Sequence, residues 1–209
     1  MKALLLKEIV DMSQNQEPLS LEDVPPPSIK KNEVMIQVAT CGICHTELDE
    51  IEGRTPPAFF PMILGHQAVG SVIKIGSQVT LHQIGDRVGV GWIHSACGQC
   101  EHCLNQNDNL CFKFKATGRD VYGGYAEMMC IPEQYAHRIP ELIDDDHAAP
   151  LLCAGAIGYR FLKLTRVING QTIGLTGFGA SGHLVIKMVQ YLYPDSDVYI
   201  IPARLDDCE

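Results

Sequence analysis

The sequence predicts a β-rich domain over residues 1–160, followed by the first strand–helix–strand unit of a parallel α/β sheet over 161–209. Three observations predict it. Short β-prone runs bounded by Gly and Pro fill the first part of the chain. Helical periodicity takes over after Asp144-Asp145-Asp146. A glycine-rich turn at 177–182 separates an apolar strand-like run from a helix-like one.

In chain order, the strand candidates of the first part are 2–6, 33–39, 68–75, 87–90 and 124–131. Pro25-Pro26-Pro27, Gly53, Gly65, Gly85, Gly98 and Gly123-Gly124 punctuate them. Many short strands with glycine-marked turns predict a barrel or sandwich. There is no internal repeat and no low-complexity tract. From 148 to 164, Leu151, Leu152, Ala156, Tyr159 and Leu162 recur at helical spacing. A strand at 172–176, a helix at 180–193 and a strand at 198–201 then form one βαβ unit. Two strands and one helix leave most of a sheet face uncovered, so the chain reads as stopping inside its second domain.

Charge narrows the partners. Sixteen Lys and Arg stand against 25 Asp and Glu, a formal net charge of −9, with no basic cluster. Nucleic acids and anionic membranes demand concentrated cations, so neither is predicted as a partner. Lys2 and Lys7 flank only Leu4, Leu5 and Leu6, too short a run for a secretory signal. No stretch approaches the roughly 20 apolar residues of a membrane span. The chain therefore reads as cytoplasmic, where closely spaced cysteines are metal ligands before they are disulfides.

Cys97, Cys100, Cys103 and Cys111 follow C-x2-C-x2-C-x7-C. Four thiolates at such spacings close a tetrahedron around Zn²⁺ with every position filled, which makes the site structural. It would pin a polar loop that includes Glu101, His102 and residues 105–109. An iron–sulfur cluster is the alternative. Its bacterial run, C-x2-C-x2-C-x3-C-P, begins alike, but here the last gap is seven and Phe112 follows. Unliganded core cysteines are the other alternative, set against the polarity of the surrounding residues.

Cys44, His66 and Cys153 lie far apart in sequence. Singly they read as a small buried hydrophobe, a core histidine after a turn and a helix-packing residue. Together they supply two thiolates and one imidazole, the protein ligands of a zinc that keeps a fourth position open.

The runs CGICHTELDEIEGR (41–54), PMILGHQAVG (61–70), IGDRVGVGW (84–92), the four-cysteine loop, GGYAEMMCIPE (123–133) and APLLCAGAIGY (149–159) resemble zinc-dependent medium-chain alcohol dehydrogenases. They occur in that family's order and at its spacing. The resemblance implies a GroES-like catalytic domain over 1–160 and a partial Rossmann domain over 161–209. It implies hydride transfer between a small alcohol or aldehyde and NAD or NADP, with two Zn²⁺ per chain, and it leaves homo-oligomers open for full-length members. By motif, Cys44, His66 and Cys153 hold the catalytic zinc, while Cys41 matches no ligand position. Thr46 matches the hydroxyl that bonds the substrate oxygen and starts its proton toward solvent. His45 matches a residue near the cofactor pyrophosphate.

Four departures accompany the resemblance. Gln67 replaces the glutamate that usually follows the zinc histidine. Glu47 stands where aspartate is usual. Asp49 stands where many members end the proton relay with histidine. Ile157 replaces a threonine near the nicotinamide. The rival reading is a zinc-binding remnant of such an enzyme, without turnover.

Gly177-Phe178-Gly179-Ala180-Ser181-Gly182 is G-x-G-x-x-G between a strand and a helix. In that setting Gly177 makes the tight turn, Gly179 admits the pyrophosphate and Gly182 lets helix pack on strand. A Gly-rich structural turn is the plain alternative. The second strand meets no acid before Asp206 that would read a ribose 2′-hydroxyl, and Arg204 instead suits the 2′-phosphate of NADP.

Overall fold

A computed structural model of the chain describes residues 1–201; Arg204 lies outside the described residues. The chain divides into two compact units, Met1–Leu152 and Cys153–Glu209.

The first unit runs β1 (Lys2–Leu6), β2 (Leu19–Asp23), β3 (Glu33–Cys41), α1 (His45–Ile51), β4 (Met62–Ile63), β5 (Ala68–Ile75), β6 (Arg87–Val90) and β7 (Ile93–Ser95). It continues through α2 (Glu101–Leu104), β8 (Lys115–Ala116), β9 (Met128–Pro132), β10 (Ala136–Arg138) and α3 (Asp145–Ala148). Among the described residues its main sheet is antiparallel, in the order β10-β6-β5-β3-β9, and a smaller sheet runs β2-β1-β4.

The β3–β5 register slips between Met35 and Ile36 and again between Val38 and Thr40. Such bulges bend a strand and strengthen its twist, which curls the sheet around its apolar face. Val34, Ile36, Ala68, Val72, Val88, Val90, Met129 and Ile131 fill that face. Each branched side chain so buried contributes about 1.5–3 kcal/mol relative to exposure. A second cluster, Leu6, Ile51, Met62 and Leu64, seats α1 and β4 against β1.

The strand expected over 124–131 begins only at Met128. Gly123, Gly124 and Tyr125 instead donate backbone N–H bonds to the carbonyls of Ile63, Gly65 and Leu64, at 2.7, 2.8 and 3.0 Å. The helix expected over 148–164 is broken. Residues Ala149–Leu152 form a 3₁₀ turn, Cys153 has φ −129° and ψ −74°, and the helix proper starts at Ala154. Pro150 lacks the N–H that a continuous α-helix would use.

The second unit holds α4 (Ala154–Thr165), β11 (Ile173–Thr176), α5 (Ala180–Leu192) and β12 (Val198–Ile201). β11 and β12 pair in parallel, with Ile173 opposite Val198 and Thr176 opposite Ile201. Leu162, Val185 and Val189 form its core with Ile173 and Leu175 packed against them. Among the described residues no helix is long and apolar enough to cross a membrane.

Candidate metal centres

The loop that follows β7 carries the four cysteines. Cys100 caps α2, Cys103 lies within it, and a 3₁₀ turn at Asp108–Leu110 delivers Cys111. Cys100 Sγ lies 3.5 Å from Cys103 Sγ, which is 3.9 Å from Cys97 Sγ. The four ligand atoms all fall within 4.8 Å of one another. Four sulfurs at zinc–thiolate bond lengths stand about 3.8 Å apart along each tetrahedral edge, so the set fits zinc. Backbone N–H groups of Gln99 and Cys100 pull the Cys97 thiol down to about 6. The N–H groups of Cys97 and Lys113 point at Cys111 Sγ from 3.5 and 3.4 Å. The loop has little core of its own, with Phe112 94% and Leu104 73% exposed. One outside anchor is Tyr135, whose hydroxyl donates to Asp108 Oδ2 at 2.8 Å.

Cys44 caps α1 in extended conformation, and its N–H donates to Glu47 Oε2 at 2.7 Å. The other carboxylate oxygen, Glu47 Oε1, sits 2.6 Å from His66 Nδ1. Neither ring nitrogen of His66 completes an aligned hydrogen bond among the described residues, and the imidazole is wholly buried. Burial alone would lower its pKa, but the Cys44 thiol and the Glu47 carboxylate outweigh that and hold it up to about 9. A buried imidazole between a thiol and a carboxylate suits a metal whose charge replaces the proton. The Trp92 ring meets His66 edge-on at 5.1 Å, and the Arg119 guanidinium lies over Trp92 at 5.3 Å.

Gly65 sets the approach of His66. Its φ is +95°, and a Cβ there would stand 2.6 Å from the Tyr125 ring and 3.0 Å from Cys41 Sγ. Gly65→Ala should therefore cost at least about 2 kcal/mol, combining backbone strain with overpacking. Urea unfolding reads this directly, and an unchanged midpoint would contradict it. Cys41 itself is a partly buried thiol whose pKa desolvation raises to about 12. Gln67 is buried, with its side chain against Gly42.

The other residues singled out from the sequence sit on α1. Thr46 Oγ1 accepts from the Cys44 thiol at 3.5 Å. His45 is largely exposed, with Nε2 3.9 Å from Asp49 Oδ1. Asp49 is already ion-paired with Arg54. Sequence reasoning overlooked Glu50, which α1 buries completely. Burial, then the Glu47 charge, raises its carboxyl to about 8. The available signal was the i, i+3, i+6 spacing of Cys44, Glu47 and Glu50, which puts them on one helical face.

In the second unit Cys153 is buried and stands at the N-cap of α4. Gly177 turns the chain after β11 with φ +80°. Among the described residues nothing lies within 4 Å of where a Cβ on Gly179 would be, at the N-cap of α5. A Cβ on Gly182 would meet the Gly177 carbonyl at 3.2 Å, a close helix–turn contact. Phe178 and His183 flank this turn with ring centroids 3.9 Å apart.

The chain is similar to known proteins over most of its length. A probable alcohol dehydrogenase from Mycobacterium tuberculosis is 41% identical over 170 residues, covering 79% of this chain and 49% of that protein. Among solved structures, CAD from Helicobacter pylori complexed with NADP(H) aligns with TM-score 0.85 and 26% identity over 95% of this chain and 58% of its own. The cobalt- and zinc-bound thermostable alcohol dehydrogenase from Pyrobaculum aerophilum aligns with TM-score 0.87 and 25% identity, covering 98% of this chain and 60% of its own. The chain spans about half the length of the curated relatives it matches. Residues 30–141 match the alcohol dehydrogenase GroES-like domain, and the chain belongs to the zinc-type medium-chain alcohol dehydrogenase family.

Proposed function

We propose that this chain holds two Zn²⁺ ions and carries the metal-binding part of an NAD(P)-dependent oxidoreductase that interconverts small alcohols and aldehydes. The observation that carries the reading is the buried His66 imidazole, set between the Glu47 carboxylate and the Cys44 thiol. Cys44, His66 and Cys153 would hold the catalytic ion and leave one position for substrate oxygen. Cys97, Cys100, Cys103 and Cys111 would hold the structural one.

The bound groups supply Lewis acidity at the substrate oxygen and hydride exchange at the nicotinamide. The residues of the chain do the rest. Glu47 fixes the ring orientation of His66, as carboxylates behind ligating histidines do. Thr46 Oγ1 takes the proton from the substrate oxygen and passes it outward. Asp49, one turn later and beside Arg54 and His45, would receive it. The glycine turn over 177–182 would open a Rossmann domain and seat the cofactor pyrophosphate, with Arg204 favouring NADP.

Gly179→Val should abolish this seating, because the new side chain fills the space the phosphate needs. NADH and NADPH fluorescence titrations should then show at least tenfold weaker binding of both, while Arg204→Ala weakens only NADPH. Equal binding by wild type and Gly179→Val would remove the turn from the cofactor site. The function itself is tested by metal analysis of the purified chain, followed by NAD(P)H absorbance assays over short, branched and aromatic alcohols and aldehydes. Two zinc ions with turnover support the enzyme. Two zinc ions without turnover favour the remnant reading.

A further inference from the structure

Glu50 has no role in the chemistry above, yet it is the acid in α1 most fully removed from water. Its side chain is 0% exposed, and neither carboxylate oxygen has a hydrogen-bond partner among the described residues. An apolar residue would fill this position without the penalty that an unpaired buried carboxylate carries. The same side of α1 and its N-cap also carries Cys44, the first residue of the candidate ligand set, and Glu47, the carboxylate behind His66.

Four charged or ionisable groups act on Glu50: Glu47 and Cys44 with like charge, His66 and Arg119 with opposite charge. Arg119 is held in place by Asp120 at 2.8 Å and by Trp92, whose ring packs on His66. The residue after His66, Gln67, is buried and brings no charge of its own.

We infer that Glu50 is a positioning residue of the Cys44/His66 metal centre, supplying from α1 the buried negative charge that Gln67 does not carry. The inference rests on the zinc reading of that centre. A dication placed beside Cys44 and His66 removes the reason for Glu50 to be unfavourable, because it offsets the mutual repulsion of Glu47 and Glu50. The same carboxylate that costs stability in the metal-free chain then strengthens metal binding. The two effects have opposite signs, which separates this role from simple packing.

The test uses the full chain loaded with Co²⁺, whose visible and near-ultraviolet bands report thiolate and imidazole ligation at each centre. Chelator competition gives the affinity of each metal separately. Glu50→Gln keeps the side-chain volume and removes only the charge. It should weaken the second metal 10–100-fold, the range for removing a carboxylate behind metal ligands. It should shift that centre's bands, leave the four-cysteine centre unaltered, and leave the metal-free chain at least as resistant to urea. Gln67→Glu added to Glu50→Gln should recover most of the lost affinity by returning the charge from the other side. Unchanged affinity and spectrum in Glu50→Gln overturns the inference. So does a metal-free Glu50→Gln chain that is markedly less stable, or a double variant no better than the single one, since either would make Glu50 a packing residue. Wild type that takes up only one metal ion, in the four-cysteine loop, brings down the zinc reading of the second centre and this inference with it.

Discussion

Cys100→Ser should lose the metal of the four-cysteine loop and a large part of the first unit's stability. Cys100 Sγ stands 3.5 Å from Cys103 Sγ and Cys100 is the N-cap residue of α2, so the change removes a proposed ligand at the point where the loop turns into its short helix. The loop cannot compensate by packing, because Leu104, Leu110 and Phe112 are exposed. Where metal and fold form together, binding free energy is folding free energy, and structural zinc sites in small peptides supply about 10–16 kcal/mol. A whole domain is stable by only about 5–15 kcal/mol, so the loss of even a quarter of such a contribution is visible. Elemental analysis should fall from two zinc ions to one, and calorimetry should show a lowered or broadened transition. A two-zinc Cys100→Ser chain with the wild-type transition would refute the structural role.

His66→Ala should remove the other zinc ion and leave the four-cysteine centre filled. The imidazole is the only nitrogen ligand of its proposed set, and its loss also leaves Glu47 buried without the partner 2.6 Å away. A metal acting as Lewis acid lowers the barrier by several kcal/mol, and each 1.36 kcal/mol is tenfold in rate. Under the enzyme reading proposed above, alcohol or aldehyde turnover should fall at least about a thousandfold, while the folding transition falls far less than in Cys100→Ser. The two variants together test the division into two centres. If both lose the same zinc ion, the division is wrong.

The two centres were not equally legible in the sequence. Cys97, Cys100, Cys103 and Cys111 fall within 15 residues, so chain connectivity alone brings them near one another, and their spacing was enough to name them. Cys44 and His66 are 22 residues apart, and each has an ordinary reading by itself. Resemblance to a family joined them, and the fold does so by seating α1 against β4 and by the tight turn at Gly65. Strands such as β1, β5 and β6 were legible because β-prone residues stand between strong turn residues. β2 was not: its LSLED is short, half-exposed and ends in acids. Helix α1 was not legible either, because seven residues with three acids and a histidine show too little apolar periodicity.

What the sequence by itself determined was local: the clustering of the four loop cysteines, the glycine turn before α5, the punctuation of the β-rich domain and the acidic charge balance. Each follows from residue types whose chemistry or backbone freedom acts over a few positions. What only the tertiary structure decided was which acids leave water. Glu47, Asp49, Glu50 and Glu52 lie within six residues on one short helix and its C-cap, yet Glu47 and Glu50 are buried beside His66 while Asp49 and Glu52 pair with Arg54 nearer the surface. That sorting is set by how α1 packs, through Ile51, on Leu6, Met62 and Leu64. Burial depends on neighbours distant in sequence, and the stretch from 44 to 52 contains no record of them.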